Sequence, residues 1–391
     1  MAVVTVPSGD SSPAAVSSVP VAWIDGAALA HNLSEAIRLV GPKVDVLAMV
    51  KSDAYGHGGA LCAGILAKAG CRIFGVATVG DAEEIQPVVA PYASSPSRVV
   101  VFGGILPDEA ADIVDCGAEV VTQEIDVVRA LGERSLAAGT EAAVHVKIDT
   151  GMHRFGVAPE NVVEFVRQAS KVPGVRLAAI CSHFALAESV TGEVTAGQLE
   201  TLLQADQALR AAGFELPRHI ANSAAVLSRP EAHLEMVRPG IMLYGVAPDR
   251  ALNGIAQLRP VMRLVARVVR VADVDEGQGI GYGHTHRTVE PTRVATVRIG
   301  YADGYARSLG NVSVAKIRGQ RVSLLGRVCM DQAMFDVTRV DGVRVGDEIT
   351  LWGDDPSVDE IAELAGTISY ELLARVAKRV RRIERRVNTN E

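Results

Sequence analysis

The stretch "VDVLAMVKSDAYGHGGALCAGILAKAGCRIFGVAT", residues 44–78, decides the fold. An apolar run is followed by a glycine-rich turn, by apolar residues at helical spacing, and by a second apolar run. Apart from Asp45 and Arg72 near their starts, both runs are continuously apolar, which is typical of parallel strands covered by helices on both faces. The stretch therefore predicts a strand–helix–strand unit with parallel strands.

This unit repeats as far as residue 241. Stretches with helical spacing, such as "PENVVEFVRQAS", separate eight apolar runs: "VDVLAMV", "CRIFGVAT", "RVVVFGG", "AEVVTQ", "AAVHVKID", "RLAAICSH", "RHIANS" and "EMVRPGI". Eight such units favour a closed barrel over an open, doubly wound sheet. The turn "SDAYGHGG" also lacks the G-x-G-x-x-G pattern of the open sheet. The sequence thus predicts an α/β protein with an N-terminal (β/α)8 TIM-type barrel.

The pattern changes after residue 258. Segments such as "VMRLVARVVRVADV" and "VSVAKIRGQRVSLLGRVCMDQAMFDVT" alternate with a period of two and are separated by Gly and Asp turns, which indicates antiparallel strands. We expect a barrel over residues 21–258 and a C-terminal antiparallel β domain over 259–391, which a strand around 21–25 can join. Residues 1–20, rich in Ser, Pro, Ala and Val, are expected to be a flexible tail and not a signal peptide.

Composition excludes several classes of function. The formal net charge is −7, and the only strongly basic stretch is near the C-terminus, so nucleic acid is not an expected partner. No apolar run approaches the roughly 20 residues that cross a membrane. The five cysteines have neither an even count nor zinc-ligand spacing, which favours a reduced, cytoplasmic setting.

The C-terminal ends of the barrel strands carry the candidate chemistry, because that end of a barrel holds the active site. Lysines, hydroxyls, arginines and backbone amides near glycine collect there: Lys51, Tyr55, Lys147, Asp149, His153, Arg154, Ser182, His183, Asn222, Ser223, Arg238, Gly240 and Ile241. No two carboxylates face each other across these strand ends, which argues against a glycosidase. No set of residues resembles a metal site either.

Lys51 is the key residue of this group. Taken alone, a lysine at a strand end usually reaches past the strand to solvent. A lysine held in apolar surroundings has a lowered pKa, however, and its neutral amine can form a Schiff base. Together with anion-binding groups, it predicts a phosphorylated carbonyl ligand, and pyridoxal 5′-phosphate (PLP) has both features.

The same motifs resemble the alanine racemase family. The matches are "AMVKSDAYGHG", "VKIDTGMHRFGV", "CSHFALAE", "HIANSAA", "MVRPGIMLYG", "GIGYGHT", "RIGYADGYAR", "GRVCMDQAMFDV" and "GTISYE", in the family's order from about residue 22 to 376. The resemblance implies a barrel and a β domain, a head-to-tail homodimer whose active sites are shared between subunits, and interconversion of L-alanine and D-alanine. It also implies supply of D-alanine for peptidoglycan in the cytoplasm.

The resemblance also implies roles for single residues. Lys51 would carry PLP and act as one catalytic base, and Tyr282 from the other subunit would be the opposite base. Arg238 would contact the pyridine nitrogen, and His183 would lie near the ring. The phosphate would be held by Tyr55, Ser223, Gly240, Ile241 and Tyr370. Arg154 and the Met330 amide would bind the substrate carboxylate, and Lys147 would be a carbamylated lysine that orients Arg154.

Three alternatives remain. The same chemistry could act on serine or on a broader range of amino acids, and Glu188 stands where the family often has aspartate near the substrate entrance. A PLP-dependent decarboxylase normally has an acidic residue at the pyridine nitrogen, where this chain has Arg238. A non-catalytic PLP-binding protein would not need the β domain that carries Tyr282.

Overall fold

The computed structural model describes residues 19–92, 97–189 and 192–385. Nearly all of the expected N-terminal tail lies outside these residues. The chain divides into two compact units. The barrel unit comprises Ala22–Arg263, Thr367–Val376 and residues 382–385, and the β unit comprises Leu264–Gly366, Ala377–Arg381 and residues 19–21. The boundary that we expected near residue 259 stays a prediction.

The barrel unit contains the predicted closed barrel of eight parallel strands. After an initial strand, β1 (Val21–Asp25), its strands are β2 (Asp45–Met49), β3 (Ile73–Val76), β4 (Arg98–Val101), β5 (Glu119–Thr122), β6 (Ala142–Lys147), β7 (Val175–Cys181), β8 (Arg218–His219) and β9 (Met236–Val237). Parallel pairing of β2 with β9, through Asp45 with Met236, closes the barrel. Every residue of β3, β5 and β6 is buried, which explains why these runs are not amphipathic.

Helices follow the strands along the barrel unit. They are α1 (Gly26–Val40), α2 (Lys51–Tyr55), α3 (Gly59–Lys68), α4 (Val79–Val89), α5 (Ala110–Cys116), α6 (Ile125–Ala138), α7 (Val162–Ala169), α8 (Glu193–Ala211) and α9 (Ser223–Ser228). Capping residues set several helix starts: Asp25, Thr78 and Asn222 each accept a hydrogen bond from a backbone N–H in the first turn of α1, α4 and α9.

The β unit confirms the predicted antiparallel domain. Its strands are β10 (Met262–Val274), β11 (Gly279–Ile280), β12 (His286–Arg287), β13 (Thr292–Val297), β14 (Val314–Ile317), β15 (Gln320–Leu325), β16 (Ala333–Asp336) and β17 (Glu348–Trp352), and its helix is α10 (Val358–Ala365). Strands β13, β16, β15, β14, β17 and β10 are neighbours in that order. Arg318 and Gly319, both with positive φ, form the two-residue turn that joins β14 to β15.

The C-terminal part of the barrel unit adds helix α11 (Ser369–Ala374) and most of strand β18 (Arg381–Arg385). Strands β1 and β18 are neighbours in a sheet, so the two ends of the described chain lie side by side. Among the described residues, no helix combines the length and the apolar character that crossing a membrane requires. That part of the chain also holds no group of three or more His, Cys, Asp or Glu side chains arranged to bind a metal ion.

Candidate active site

A cavity of about 760 Å³ lies at the C-terminal ends of the barrel strands. Of the twelve residues with implied roles, ten line this cavity: Lys51, Tyr55, Lys147, Arg154, His183, Ser223, Arg238, Gly240, Ile241 and Tyr370. They come from five different strand ends and from α11, and the barrel unit supplies all of them. Sequence positions more than 300 residues apart therefore converge on one site.

The charge of the cavity has one sign. Lys51, Lys147, Arg154 and Arg238 line it, and the described lining residues include neither Asp nor Glu. Burial lowers the pKa of Lys51, and the nearby guanidinium groups of Arg154 and Arg238 lower it further. The cavity is therefore suited to an anionic ligand, and its Lys51 amine loses a proton more readily than an exposed lysine.

Lys51 opens an unusual turn, α2. Ser52, Asp53, Ala54 and Tyr55 all have φ between 53° and 55°, in the left-handed region. This conformation costs roughly 1–2 kcal/mol for each residue that is not glycine. Since Tyr55 lines the cavity at the far end of this turn, the strained backbone fixes the placement of two cavity residues relative to each other.

Surrounding groups hold this turn in place. Nδ1 of buried His57 lies 3.1 Å from the Ala54 carbonyl oxygen and 2.9 Å from that of Tyr55. Arg382 on β18 donates from Nε to the Gly56 carbonyl oxygen (3.0 Å) and from Nη2 to the Val376 carbonyl oxygen (2.6 Å) after α11. The turn is thus braced by the C-terminal part of the barrel unit.

The contact of this turn with α11 requires glycine. A Cβ atom on Gly56 would lie 1.9 Å from the carbonyl oxygen of Leu373, and Gly56 itself has φ of 79°. Any other residue would push α11 away. Tyr370 on the same helix has its ring centroid 6.1 Å from that of Tyr55, so the contact also sets the spacing of two cavity tyrosines.

Hydroxyl and amide groups form one end of the cavity. Ser223 Oγ accepts hydrogen bonds from the backbone N–H groups of Gly240 (2.8 Å) and Met242 (3.4 Å). A Cβ atom on Gly240 would lie 2.3 Å from the Tyr55 hydroxyl oxygen, so only glycine leaves this space open. Neutral donors at this end suit a phosphate group.

Arg238 forms the buried floor of the cavity. Its Nη2 donates to the carbonyl oxygens of Ser182 (2.8 Å) and Ile220 (3.1 Å) and to Nδ1 of His183 (3.0 Å). Its Nη1 donates to Nδ1 of His219 (2.8 Å). Burial and the charge of Arg238 keep the pKa of His183 well below its ordinary value, so this ring is neutral. The guanidinium is consequently fixed in one orientation.

Lys147 is the more buried of the two cavity lysines. Burial lowers its pKa to about 8. Its Nζ and the guanidinium carbon of Arg154 each lie 5.8 Å from the ring centroid of Phe155, which therefore contacts both cations. A leucine at position 155 would lack this aromatic face.

Tyr282 and Met330, the two residues with implied roles that do not line the cavity, lie in the β unit. The side chain of Tyr282, in a short turn between β11 and β12, is 70% exposed, and Met330 is 54% exposed. Both side chains therefore face outward on the described chain.

Sequence reasoning missed some cavity residues. Phe102 and Gln123 directly follow β4 and β5 and line the cavity, so the strand-end rule could have found them. His57 and Arg382 were missed as braces of the turn. No local signal indicates Arg382, because its partner at Gly56 is 326 residues away.

Comparison with known proteins agrees with the geometry. Residues 24–248 match the alanine racemase N-terminal domain, and residues 261–384 match the alanine racemase C-terminal domain. The chain belongs to the alanine racemase family. An alanine racemase of Caldanaerobacter subterraneus is 38% identical to this family member over 363 residues, which is 91% of this chain and 92% of that protein.

Solved structures of the family have the same fold. The alanine racemase from Streptomyces lavendulae, a producer of D-cycloserine, has a TM-score of 0.88 and 31% identity, covering 95% of this chain and 98% of its own. The alanine racemase from Bartonella henselae, solved with covalently bound pyridoxal phosphate, has a TM-score of 0.84 and 25% identity, covering 94% of this chain and 100% of its own.

Proposed function

We propose that this protein interconverts L-alanine and D-alanine with PLP as its cofactor. The observation that carries the proposal is the cationic cavity in which Lys51, with its lowered pKa, lies among groups suited to an anion. The alanine racemase names of the relatives favour alanine over serine or a broader range of amino acids. We further propose that the enzyme acts in the cytoplasm and supplies D-alanine for peptidoglycan.

The residues of the cavity fit the cofactor. Ser223, the amides of Gly240 and Ile241, and the hydroxyls of Tyr55 and Tyr370 would hold the phosphate. The space that Gly240 leaves open beside the Tyr55 hydroxyl supports this assignment. The Lys51 amine would bond to the aldehyde carbon, since a lowered pKa makes the nucleophilic neutral form more abundant near pH 7.

Arg238 would face the ring nitrogen, with His183 beside the ring. A guanidinium hardly releases its proton, so it can donate a hydrogen bond to that nitrogen without protonating it. Electron withdrawal by the ring is then moderate, which disfavours side reactions such as transamination. The four hydrogen bonds that fix Arg238 support this role.

Arg154 and the amide of Met330 would bind the substrate carboxylate. A guanidinium matches a carboxylate through two parallel hydrogen bonds. Lys147 would orient Arg154 after reacting with carbon dioxide to form a carbamate. The lowered pKa of Lys147 supports this step, because only a neutral amine reacts with carbon dioxide.

Racemisation needs a proton removed from one face of Cα and another delivered to the opposite face. PLP supplies the electron sink that makes the Cα proton acidic. Lys51 would exchange the proton on one face, and Tyr282 of the partner subunit on the other, within a homodimer. The 70% exposure of Tyr282 on the described chain supports a role toward a second subunit.

The test is direct. Purified protein with PLP and L-alanine is expected to produce D-alanine, measured with D-amino-acid oxidase, and to reach equal amounts of the two enantiomers. Lys51→Ala is the control and should produce none. The proposal is wrong if the parent protein produces no D-alanine, or if it turns over L-serine faster than L-alanine.

A further inference from the structure

A line of hydrogen bonds runs from Arg238 through the interior of the barrel to Glu119. His219 Nε2 lies 2.9 Å from His145 Nδ1, and His145 Nε2 lies 2.7 Å from Glu119 Oε2. Together with the 2.8 Å contact between Arg238 Nη1 and His219 Nδ1, these bonds form one continuous chain. We call Glu119, His145, His219 and Arg238 the Glu119 relay.

The relay crosses the barrel from one end to the other. Glu119 is the first residue of β5, whereas His219 is the last residue of β8 and Arg238 follows β9. His145 and His219 are completely buried, so water cannot replace their partners. Each ring nitrogen must therefore be satisfied within the relay, because an unpaired buried polar group costs about 1–3 kcal/mol.

The Arg238 end imposes a direction on the relay. A guanidinium has N–H donors and no acceptor, so His219 Nδ1 must accept and carries no proton. The neutral His219 ring then has its proton on Nε2 and donates it to His145 Nδ1. His145 in turn has its proton on Nε2, which points to Glu119.

The Glu119 end imposes the same direction independently. Burial by itself would raise the pKa of Glu119, but hydrogen bonds from His145 and from Arg98 hold it at about 2. Arg98 binds both carboxylate oxygens, at 2.6 and 2.8 Å. The ionised carboxylate accepts only. If both rings carried their protons on Nδ1 instead, the N–H of His219 would face the N–H of Arg238, and neither could accept.

We propose that Glu119 is a positioning residue of the reaction: it accepts the Nε2 proton of His145, completes the relay and thereby holds Arg238 in its cavity orientation. The consequence for catalysis rests on the proposed function, in which Arg238 faces the cofactor ring. The tautomers themselves do not depend on that function, and they can be measured on the protein without cofactor.

The experiment uses protein labelled with ¹⁵N in histidine. Long-range ¹H–¹⁵N spectra distinguish a proton on Nδ1 from one on Nε2, and His145→Gln and His219→Gln proteins assign the two sets of signals. Three variants are compared with the parent: Glu119→Gln, which keeps an acceptor oxygen, Glu119→Leu, which removes it, and Glu235→Leu.

Glu235→Leu is the matched control. Glu235, a more exposed residue immediately before β9, forms a similar two-point ion pair with Arg218, at 2.6 and 2.9 Å. Neither residue belongs to the relay. The control therefore removes a carboxylate that pairs with an arginine in the same barrel but makes no hydrogen bond to His145 or His219.

Parent, Glu119→Gln and Glu235→Leu proteins are expected to show both relay rings neutral with the proton on Nε2. Glu119→Leu leaves the Nε2 proton of His145 without an acceptor, so the His145 ¹H and ¹⁵N signals should shift toward those of a ring without this hydrogen bond. A proton on Nδ1 of either ring in the parent would overturn the proposal, and so would His145 signals in Glu119→Leu that are identical to those of the parent. If Glu119→Leu does not fold, the His145 signals of Glu119→Gln decide it, because a neutral amide oxygen is a weaker acceptor than a carboxylate: signals identical to those of the parent would overturn the proposal.

Kinetics give the second readout. Glu119→Leu should lower kcat about tenfold, the effect of one lost orienting hydrogen bond, with KM for alanine changed less than twofold. Glu119→Gln should stay within threefold of the parent. Equal losses in Glu119→Leu and Glu235→Leu would mean that Glu119 has only a structural role. A parent without racemase activity but with the expected tautomers would refute the proposed function and not the relay.

Discussion

Lys147 illustrates how a single buried charge sets the pH dependence of stability. Its pKa is about 8 in the folded protein and about 10.4 in an unfolded chain. The unfolded state therefore binds this proton more tightly, and the folded state is destabilised at pH values below 8. The cost fades as pH rises through the interval from 8 to 10.

Lys147→Met should accordingly stabilise the protein without cofactor in buffer free of bicarbonate. The gain at pH 7 is expected to be about 3 kcal/mol, since 1 pKa unit corresponds to about 1.4 kcal/mol. By pH 10 it should fall below about 1 kcal/mol. Urea unfolding at both pH values measures this, and a gain that is equal at pH 7 and 10 would contradict it.

The role of Tyr282 as a base can be tested through proton exchange on one face of the substrate Cα. In deuterium oxide, Tyr282→Phe should slow Cα exchange of one alanine enantiomer much more than that of the other, because Lys51 still serves its own face. Proton NMR of each pure enantiomer gives the two rates. Equal slowing of both enantiomers, or none, would remove Tyr282 from the role of base.

At the scale of elements, the contact between β18 and the turn after Lys51 can be tested by removing the side chain of Arg382. Arg382→Ala should weaken PLP binding about tenfold, because it removes hydrogen bonds to Gly56 and Val376 and an ion pair with Asp53 (3.4 Å). Titration of cofactor-free protein with PLP measures the affinity. Exposed Arg385 on the same strand is the control. Similar losses in Arg385→Ala would show that the basic strand acts by charge alone.

The sequence predicted the elements better than their local conformation. The eight apolar runs corresponded to the eight barrel strands because buried parallel strands need apolar residues on both faces. Ser52, Asp53 and Ala54 carry no signal for the left-handed turn, since its partners are distant in sequence. The Glu119 relay was equally hidden, as His145 and His219 are 74 positions apart and meet only when the barrel closes.

At the scale of the whole molecule, the proposed dimer predicts complementation between inactive proteins. Lys51→Ala and Tyr282→Ala homodimers should each be inactive. In a mixed dimer, one site combines both lesions and the other has intact Lys51 and Tyr282. Refolding equal amounts together makes about half of the dimers mixed, so activity should recover to roughly a quarter of the parent. An inactive mixture with demonstrated subunit exchange would exclude a shared site.

The left-handed turn at residues 52–55 also imposes an order on biosynthesis. Its braces, at Leu373, Val376 and Arg382, are added more than 300 residues after Lys51. A ribosome adds about 5–20 residues per second, so these residues are synthesised roughly 15 to 65 seconds after the turn. Until then only local contacts, such as those of His57, offset its backbone strain, and the C-terminal residues do not yet hold Lys51 and Tyr55 in register. A nascent chain can therefore close its barrel before it can retain a cofactor, and a chain released after residue 375 should fold but lose PLP on dialysis.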